Sequence, residues 1–361
     1  MEKTIFFDLE GPLSPQDNAY EVMKLIGQEG AAIFEVISRY DDIITLEGRA
    51  GYEPGDTLAL VIPFLLLHGI TEEDIRTVSE GAKLVEGADY LSEYLRAENW
   101  DIYIISTSYE HHAYNIGRKL GIEPRNIICT ELDLEKKKRD IRVQDKDAFF
   151  SLIKQAEKEV IALYSRMDEP QLITNRLDEF FFRQLHSYGF DVFGTKVIGG
   201  ERKAEAVRAI AKEKGEALSD VIAVGDSITD YKMLNEVATH NGVAVVFNGN
   251  EYAVPYANVG LASVDMRFLQ ILCAAFDRGG KEEVMDVVTE WEDNRDYFET
   301  NPEDIPDNCI TDDLIDLIQK QQLSMPYFHN VERADERGRD EIIKIHKRVR
   351  MQVREDAGKL G

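Results

Sequence analysis

Residues 4–11 read Thr-Ile-Phe-Phe-Asp-Leu-Glu-Gly: an apolar strand that runs into Asp8, presents Glu10 two residues on, and breaks at Gly11-Pro12. Carboxylates at the end of a buried strand must be paired or neutralised, because an isolated desolvated charge is costly. Parallel α/β sheets collect ligands outside the carboxyl ends of their strands, so a reactive site is expected there. A strand that merely ends in a solvated acidic turn would read the same, and this run alone leaves both open.

Three other stretches separate the two. Residues 221–230, Val-Ile-Ala-Val-Gly-Asp-Ser-Ile-Thr-Asp, form a second strand pattern ending in Asp226 and Asp230. Residues 101–108, Asp-Ile-Tyr-Ile-Ile-Ser-Thr-Ser, form a third that ends in hydroxyls, among them Ser106 and Thr107. Lys203 opens a segment, Lys-Ala-Glu-Ala-Val-Arg-Ala-Ile-Ala, whose apolar positions fall on one helix face. In chain order this gives Asp-x-Glu, Ser/Thr, Lys and Gly-Asp-Ser-x-x-Asp. That set resembles the four motifs of the haloacid dehalogenase superfamily, in particular its phosphoserine-phosphatase-like branch, over residues 1–13, 84–132 and 195–265.

The resemblance implies an α/β fold, a Rossmann-like parallel sheet core with a helical cap; residues 133–190 depart from the simplest layout of that branch, and the chain adds a helical C-terminal extension. The expected division is a core of residues 1–13, 84–132 and 191–265, a cap over 14–83, a helical insertion over 133–190 and an extension over 266–361. The sheet is expected to be complete by about Val264. Helices are expected near Tyr20–Leu25, Ala31–Tyr40, Tyr90–Ala97, from a Ser108 cap to about Leu120, Lys146–Ser165 and Arg176–Ser187, and a further strand near Asn126–Thr130.

Composition narrows the partners. With 42 Lys and Arg against 68 Asp and Glu, the chain carries a net charge of −26, a surface that repels nucleic acid and anionic membranes. Three dispersed cysteines, Cys129, Cys273 and Cys309, fit a reducing compartment and form neither a disulfide framework nor a zinc site. The longest apolar run, Leu58–Leu67, is too short to span a bilayer and contains Pro63, so it reads as a buried helix. The start of the chain has no signal-peptide pattern, and the expected location is cytoplasmic. The expected ligand is a small phosphorylated metabolite; a homodimer is compatible with all of this.

The chemistry follows from the resemblance. Asp8 is the expected nucleophile, since a carboxylate accepts a phosphoryl group as an acyl phosphate. Mg²⁺ is the expected cofactor, held by Asp8, Asp226, Asp230 and the carbonyl of Glu10. Lys203 offsets the negative charge, and Ser106 and Thr107 take the phosphate. Glu10 stands where the family usually has Asp; one methylene longer, it keeps the acid–base group. For the substrate's other groups the cap offers Asp17 or Glu21 as the anion and Arg39 or Arg49 as the cation, with Glu21 and Arg49 taken as the candidates. Phosphoserine is one candidate substrate and another small phosphomonoester a second. The rival reading is a subunit or regulatory module with a vestigial site. His111-His112 are assigned no role, because adjacent helical residues point to different faces. The basic runs at 136–139 and 344–354 read as solvated helix faces.

Overall fold

The computed structural model describes residues 3–141, 145–321, 323–354 and 357–358. Seven strands make one sheet: β1 (Lys3–Phe7), β2 (Trp100–Tyr109), β3 (Ile127–Thr130), β4 (Val221–Gly225), β5 (Val243–Phe247), β6 (Val259–Ala262) and β7 (Tyr327–Asn330). Their order is β3-β2-β1-β4-β5-β6-β7, parallel throughout except for β7. The central strands are apolar at nearly every position because both faces are covered. Along β1, Ile5 and Phe7 enter the core on one face, with Leu91, Trp100 and Val224, while Phe6 enters the other, with Val207, Met233 and Leu234.

The chain leaves β1 to build β2 on one side and returns to build β4 on the other. That reversal puts a crevice at the carboxyl ends of β1 and β4, where open α/β sheets bind ligands. Register makes the two ends level: Phe7 pairs with Val224, and the Asp8 amide donates to the Val224 carbonyl at 2.8 Å.

The sheet does not stop near residue 264. Tyr327–Asn330 adds an antiparallel edge strand to β6, so the C-terminal extension is not wholly helical. Four residues are too few to show an alternating pattern in sequence; pairing β6's otherwise open edge supplies the reason they extend. Between β6 and β7 runs the helix Leu269–Thr300, bent at Gly279-Gly280, where Gly280 takes φ +63°. It is fastened by Trp291, fully buried, whose indole N–H donates to the Cys309 carbonyl at 2.7 Å. After β7, the helix Glu336–Arg354 returns across the sheet.

The helices between β1 and β2 and those after β3 share one apolar cluster, including Phe34, Tyr40, Phe64, Phe149, Phe180 and Leu185. The Leu58–Leu67 run forms two short buried helices, Thr57–Leu60 and Ile62–Leu67. Tyr40 donates to Asp178 at 2.5 Å and Arg49 pairs with the same carboxylate, tying the helix Gln28–Leu46 to the helix Pro170–Asp178. The latter continues as a wider turn over Glu179–Gln184 rather than starting near Arg176. Ser108 does not cap a helix: β2 extends through Tyr109, and the next helix begins at Glu110. No helix among the described residues is long and apolar enough to cross a membrane.

Asp41, inside this cluster, accepts from the Tyr52 hydroxyl at 2.5 Å and the Gly55 amide at 2.9 Å. Burial pushes its pKa up to about 8. A folded-state pKa raised this far gives a contribution to stability that is complete below about pH 4 and lost as pH rises towards 8. Asp41→Asn is therefore expected to gain on the wild type between pH 5 and 8.5, by on the order of 4 kcal/mol. Urea unfolding of both proteins across that range checks it; a pH-independent difference would contradict it.

Candidate active site

Asp8 leaves the end of β1 almost wholly buried. Desolvation, with the Asp230 charge beside it, pushes its pKa up to about 7. The chain then turns sharply at Gly11, which has φ +113° and sits so close to Asp226 that a Cβ there would lie 2.2 Å from Oδ2. Only glycine combines that backbone with that approach. Glu10 is turned back by the amide of Asn18, which donates to Oε1 at 2.9 Å. Burial, and then the Asp17 charge, push its pKa up to about 8, so its carboxyl holds a proton near neutral pH.

Lys203 comes in from the start of the helix Glu201–Lys214 and is fully buried. Its ammonium donates to Asp8 Oδ1 at 2.6 Å and Asp230 Oδ1 at 2.7 Å. Burial works against its charge, but Asp230 and Asp8 overcome that and hold its pKa above the ordinary lysine value. The other oxygen of Asp230 accepts from the amides of Asp226 and Ser227, at 2.9 and 3.1 Å. Asp230 thus fixes the loop after β4 and aims the lysine.

Asp8, Asp226 and Asp230 form a buried cluster whose ligand atoms lie within 4.8 Å of one another. Asp226 divides its two oxygens. Oδ2 takes Arg350 and Arg354, the latter at 2.9 Å, whereas Oδ1 is buried without a hydrogen-bond partner. An acceptor lacking a donor, among clustered carboxylates, fits a hard divalent cation.

A model of the haloacid dehalogenase-like hydrolases matches residues 85–265. The chain belongs to this family. It is similar along its whole length to gene product AF1437 from Archaeoglobus fulgidus, at 26% identity and a TM-score of 0.73, covering 100% of this chain and 99% of that one. A substrate-bound phosphoserine phosphatase is 15% identical over 75% of this chain and 97% of its own, with a TM-score of 0.47. A phospho-aspartyl intermediate analogue of phosphoserine phosphatase is 16% identical over 74% and 97%, with a TM-score of 0.49. A search of curated protein sequences returns no match.

In this hydrolase a cavity of about 80 Å³ opens onto Asp8 and Glu10. Thr107, Ser108 and Thr229 line it from the core, and Ser38, Asp41 and Asp42 from the helix Gln28–Leu46. A loop over the cavity is latched to the core. Asp56 pairs with Arg202 at 2.6 Å, and Glu53 with Lys232 at 3.0 Å and with the Glu201 amide at 2.8 Å.

Asp8, Glu10, Lys203, Asp226 and Asp230 come together as the sequence pattern suggests. Thr107 lines the cavity, whereas Ser106 lies beneath it, accepting the Ser108 amide at 3.0 Å. Glu21 and Arg49 do not line it. Glu21 pairs with Lys24 at the surface, and Arg49 is held by Asp178 and Glu47. Asp17, one helical turn before Glu21, lines the cavity in its place.

The basic run near the C-terminus is a solvated face only in part: Lys344, Lys347 and Arg348 are exposed, whereas Arg350 and Arg354 are not. Ile342, His346, Arg350 and Arg354 recur every four residues and are all buried, a single stripe docked on the site. That spacing was the available signal. His112 is also fully buried, with Nε2 3.8 Å from Glu10 Oε1; burial pushes its pKa down to about 3, leaving it neutral. Lys137 in the other basic run is buried too, donating to the Asp191 carbonyl at 3.0 Å.

Lys203→Met keeps the side-chain volume but leaves Asp8 and Asp230 facing each other without their shared cation. Breaking a buried ionic cluster from one side costs about 3–5 kcal/mol. A loss of that size in chemical-denaturation stability is expected; a variant within about 1 kcal/mol of wild type would show that the cluster does not depend on the lysine.

Proposed function

We propose that this chain hydrolyses a small phosphomonoester in two steps through a phosphoryl group carried on Asp8. The observation that carries the reading is the pairing of roles at the end of β1. Asp8 is held by Lys203 in the wall of the cavity, and two residues on Glu10 keeps a proton near neutral pH.

In the first step an Asp8 oxygen attacks phosphorus in line, the bond from phosphorus to the leaving oxygen breaks, and Glu10 gives that oxygen its proton. In the second, a water loses a proton to the Glu10 carboxylate and attacks the same phosphorus. The acyl phosphate opens, Asp8 is restored and inorganic phosphate leaves. Lys203 favours the ionised form of Asp8 against the burial that raises its pKa and aims the carboxylate, and the Thr107 and Ser108 hydroxyls offer hydrogen bonds to the phosphoryl oxygens. Mg²⁺, held by Asp8, Asp226 and the Glu10 carbonyl with Asp230 behind them, would neutralise charge between the phosphoryl group and Asp8.

The cavity supports a small substrate. Its cap wall offers Ser38, Asp41 and Asp42 and no basic side chain, so a neutral or amine-bearing leaving alcohol suits it better than the carboxylate of phosphoserine. The rival, a module with a vestigial site, draws on Arg350 and Arg354 standing on Asp226.

Release of p-nitrophenol from p-nitrophenyl phosphate with Mg²⁺ separates the two. Turnover is expected in the wild type, with a loss of at least about a thousandfold in Asp8→Asn and about a hundredfold or more in Glu10→Gln. A folded wild type inert towards a broad panel of phosphomonoesters would sink the proposal in favour of the rival.

A further inference from the structure

The helix Glu336–Arg354 delivers two guanidinium groups into a carboxylate cluster that fits a cation. Arg350 is 2% exposed, and besides the Asp226 carboxylate it reaches the Asp226 carbonyl at 3.4 Å and donates from Nε to the Gly358 carbonyl at 3.2 Å. Arg354 is 7% exposed and donates from Nε to the Pro15 carbonyl at 3.2 Å, which anchors it beside the turn that follows Glu10. Both line the cavity.

Within the three-aspartate cluster and the cations paired to it the formal charges balance, with Glu10 and Asp17, which also act on Arg354, outside that count. Asp8, Asp226 and Asp230 supply three negative charges, and Lys203, Arg350 and Arg354 supply three positive. A divalent cation entering alone would place two uncompensated charges in a buried site, and a phosphoryl dianion alone would do the same with the opposite sign. Entering together they leave the balance unchanged. Desolvation makes this difference large, because a buried charge is tolerated only when paired. Without the two arginines the same cluster would carry a charge of −2 and hold a divalent cation unaided.

The geometry points the same way. The arginines occupy Oδ2 of Asp226 and leave Oδ1 without a partner. A phosphoryl group offers each guanidinium fork two charged oxygens at once, where Asp226 offers the pair one shared carboxylate oxygen.

We infer that Arg350 and Arg354 are ligands for the phosphoryl group and that they make divalent-cation binding and phosphoryl binding depend on each other. The inference rests on the phosphoryl-transfer reading of Asp8, and it assigns substrate contacts to the C-terminal helix that the four motifs do not contain. Coupling of this kind is reciprocal: whatever factor phosphate adds to cation affinity, the cation adds to phosphate affinity.

Calorimetric titration of the full chain tests it, with Mg²⁺ alone, inorganic phosphate alone, and each in the presence of the other. In the wild type, phosphate is expected to tighten Mg²⁺ by about tenfold or more, and Mg²⁺ to tighten phosphate equally. Arg354→Gln is expected to tighten Mg²⁺ alone by about tenfold and to remove most of the enhancement, while Arg354→Lys retains it. Equal Mg²⁺ affinity with and without phosphate in the wild type would overturn the inference, whether or not the variants fold. So would a folded Arg354→Gln that keeps the full enhancement. Turnover of phosphomonoesters without coupling would count against this inference alone; coupling without turnover would uphold it and count against the hydrolytic reading alone.

Discussion

Lys203 is the contact on which the remainder of the site depends. Three carboxylates converge at the carboxyl ends of β1 and β4 because strand register makes those ends level. Left alone they would repel one another in a region with almost no solvent. One ammonium bonded to two of them, at 2.6 and 2.7 Å, makes the convergence tolerable. Once Asp230 is fixed by that bond, its second oxygen ties down the amides of Asp226 and Ser227, and the loop after β4 follows. Gly11 must then let the first turn pass within van der Waals reach of Asp226.

The same electrostatic demand explains why the C-terminal extension folds back. After Lys203 the cluster is still two charges short of neutrality, and Arg350 and Arg354 supply them. Their helix is held by more than charge: Ile342 and Val349 pack beneath it, and the imidazoles of His346 and His329 meet at 3.3 Å. His329 lies on β7, so the edge strand and the helix that follows it form one strap across the sheet.

What could be read from the sequence divides along a physical line. Asp8, Lys203, Asp226 and Asp230 were legible because each sits next to an element whose period is strong, a fully apolar strand or an amphipathic helix. Their convergence followed from the crossover topology that such a sequence dictates. Arg350 and Arg354 were not legible as site residues, since a buried arginine is recognised by its partner, and that partner lies 124 residues away from Arg350. Glu21 and Arg49 failed for a related reason. Their charge suited a substrate, but nothing local says which side of the short helix carrying Glu21 faces the cavity, and Arg49, in the turn after Gln28–Leu46, is taken up by Asp178 and Glu47. β7 was missed because a four-residue edge strand is specified by the open edge it covers rather than by its own pattern.

The resulting site differs in kind from one completed by its four motifs alone. A carboxylate cluster offset only by a lysine attracts a cation whether or not substrate is present. Two further guanidinium groups, held on a helix that ends near residue 354, make the resting centre neutral and leave its cation affinity to the anion that arrives with it. Three cations offset three carboxylates, and Asp226 Oδ1, buried without a hydrogen-bond partner, is a place where a further positive charge fits. The cost is that the C-terminal helix becomes part of the reaction centre. Any force that lifts the strap formed by β7 and Glu336–Arg354 therefore acts on Asp226 directly, without passing through the cap.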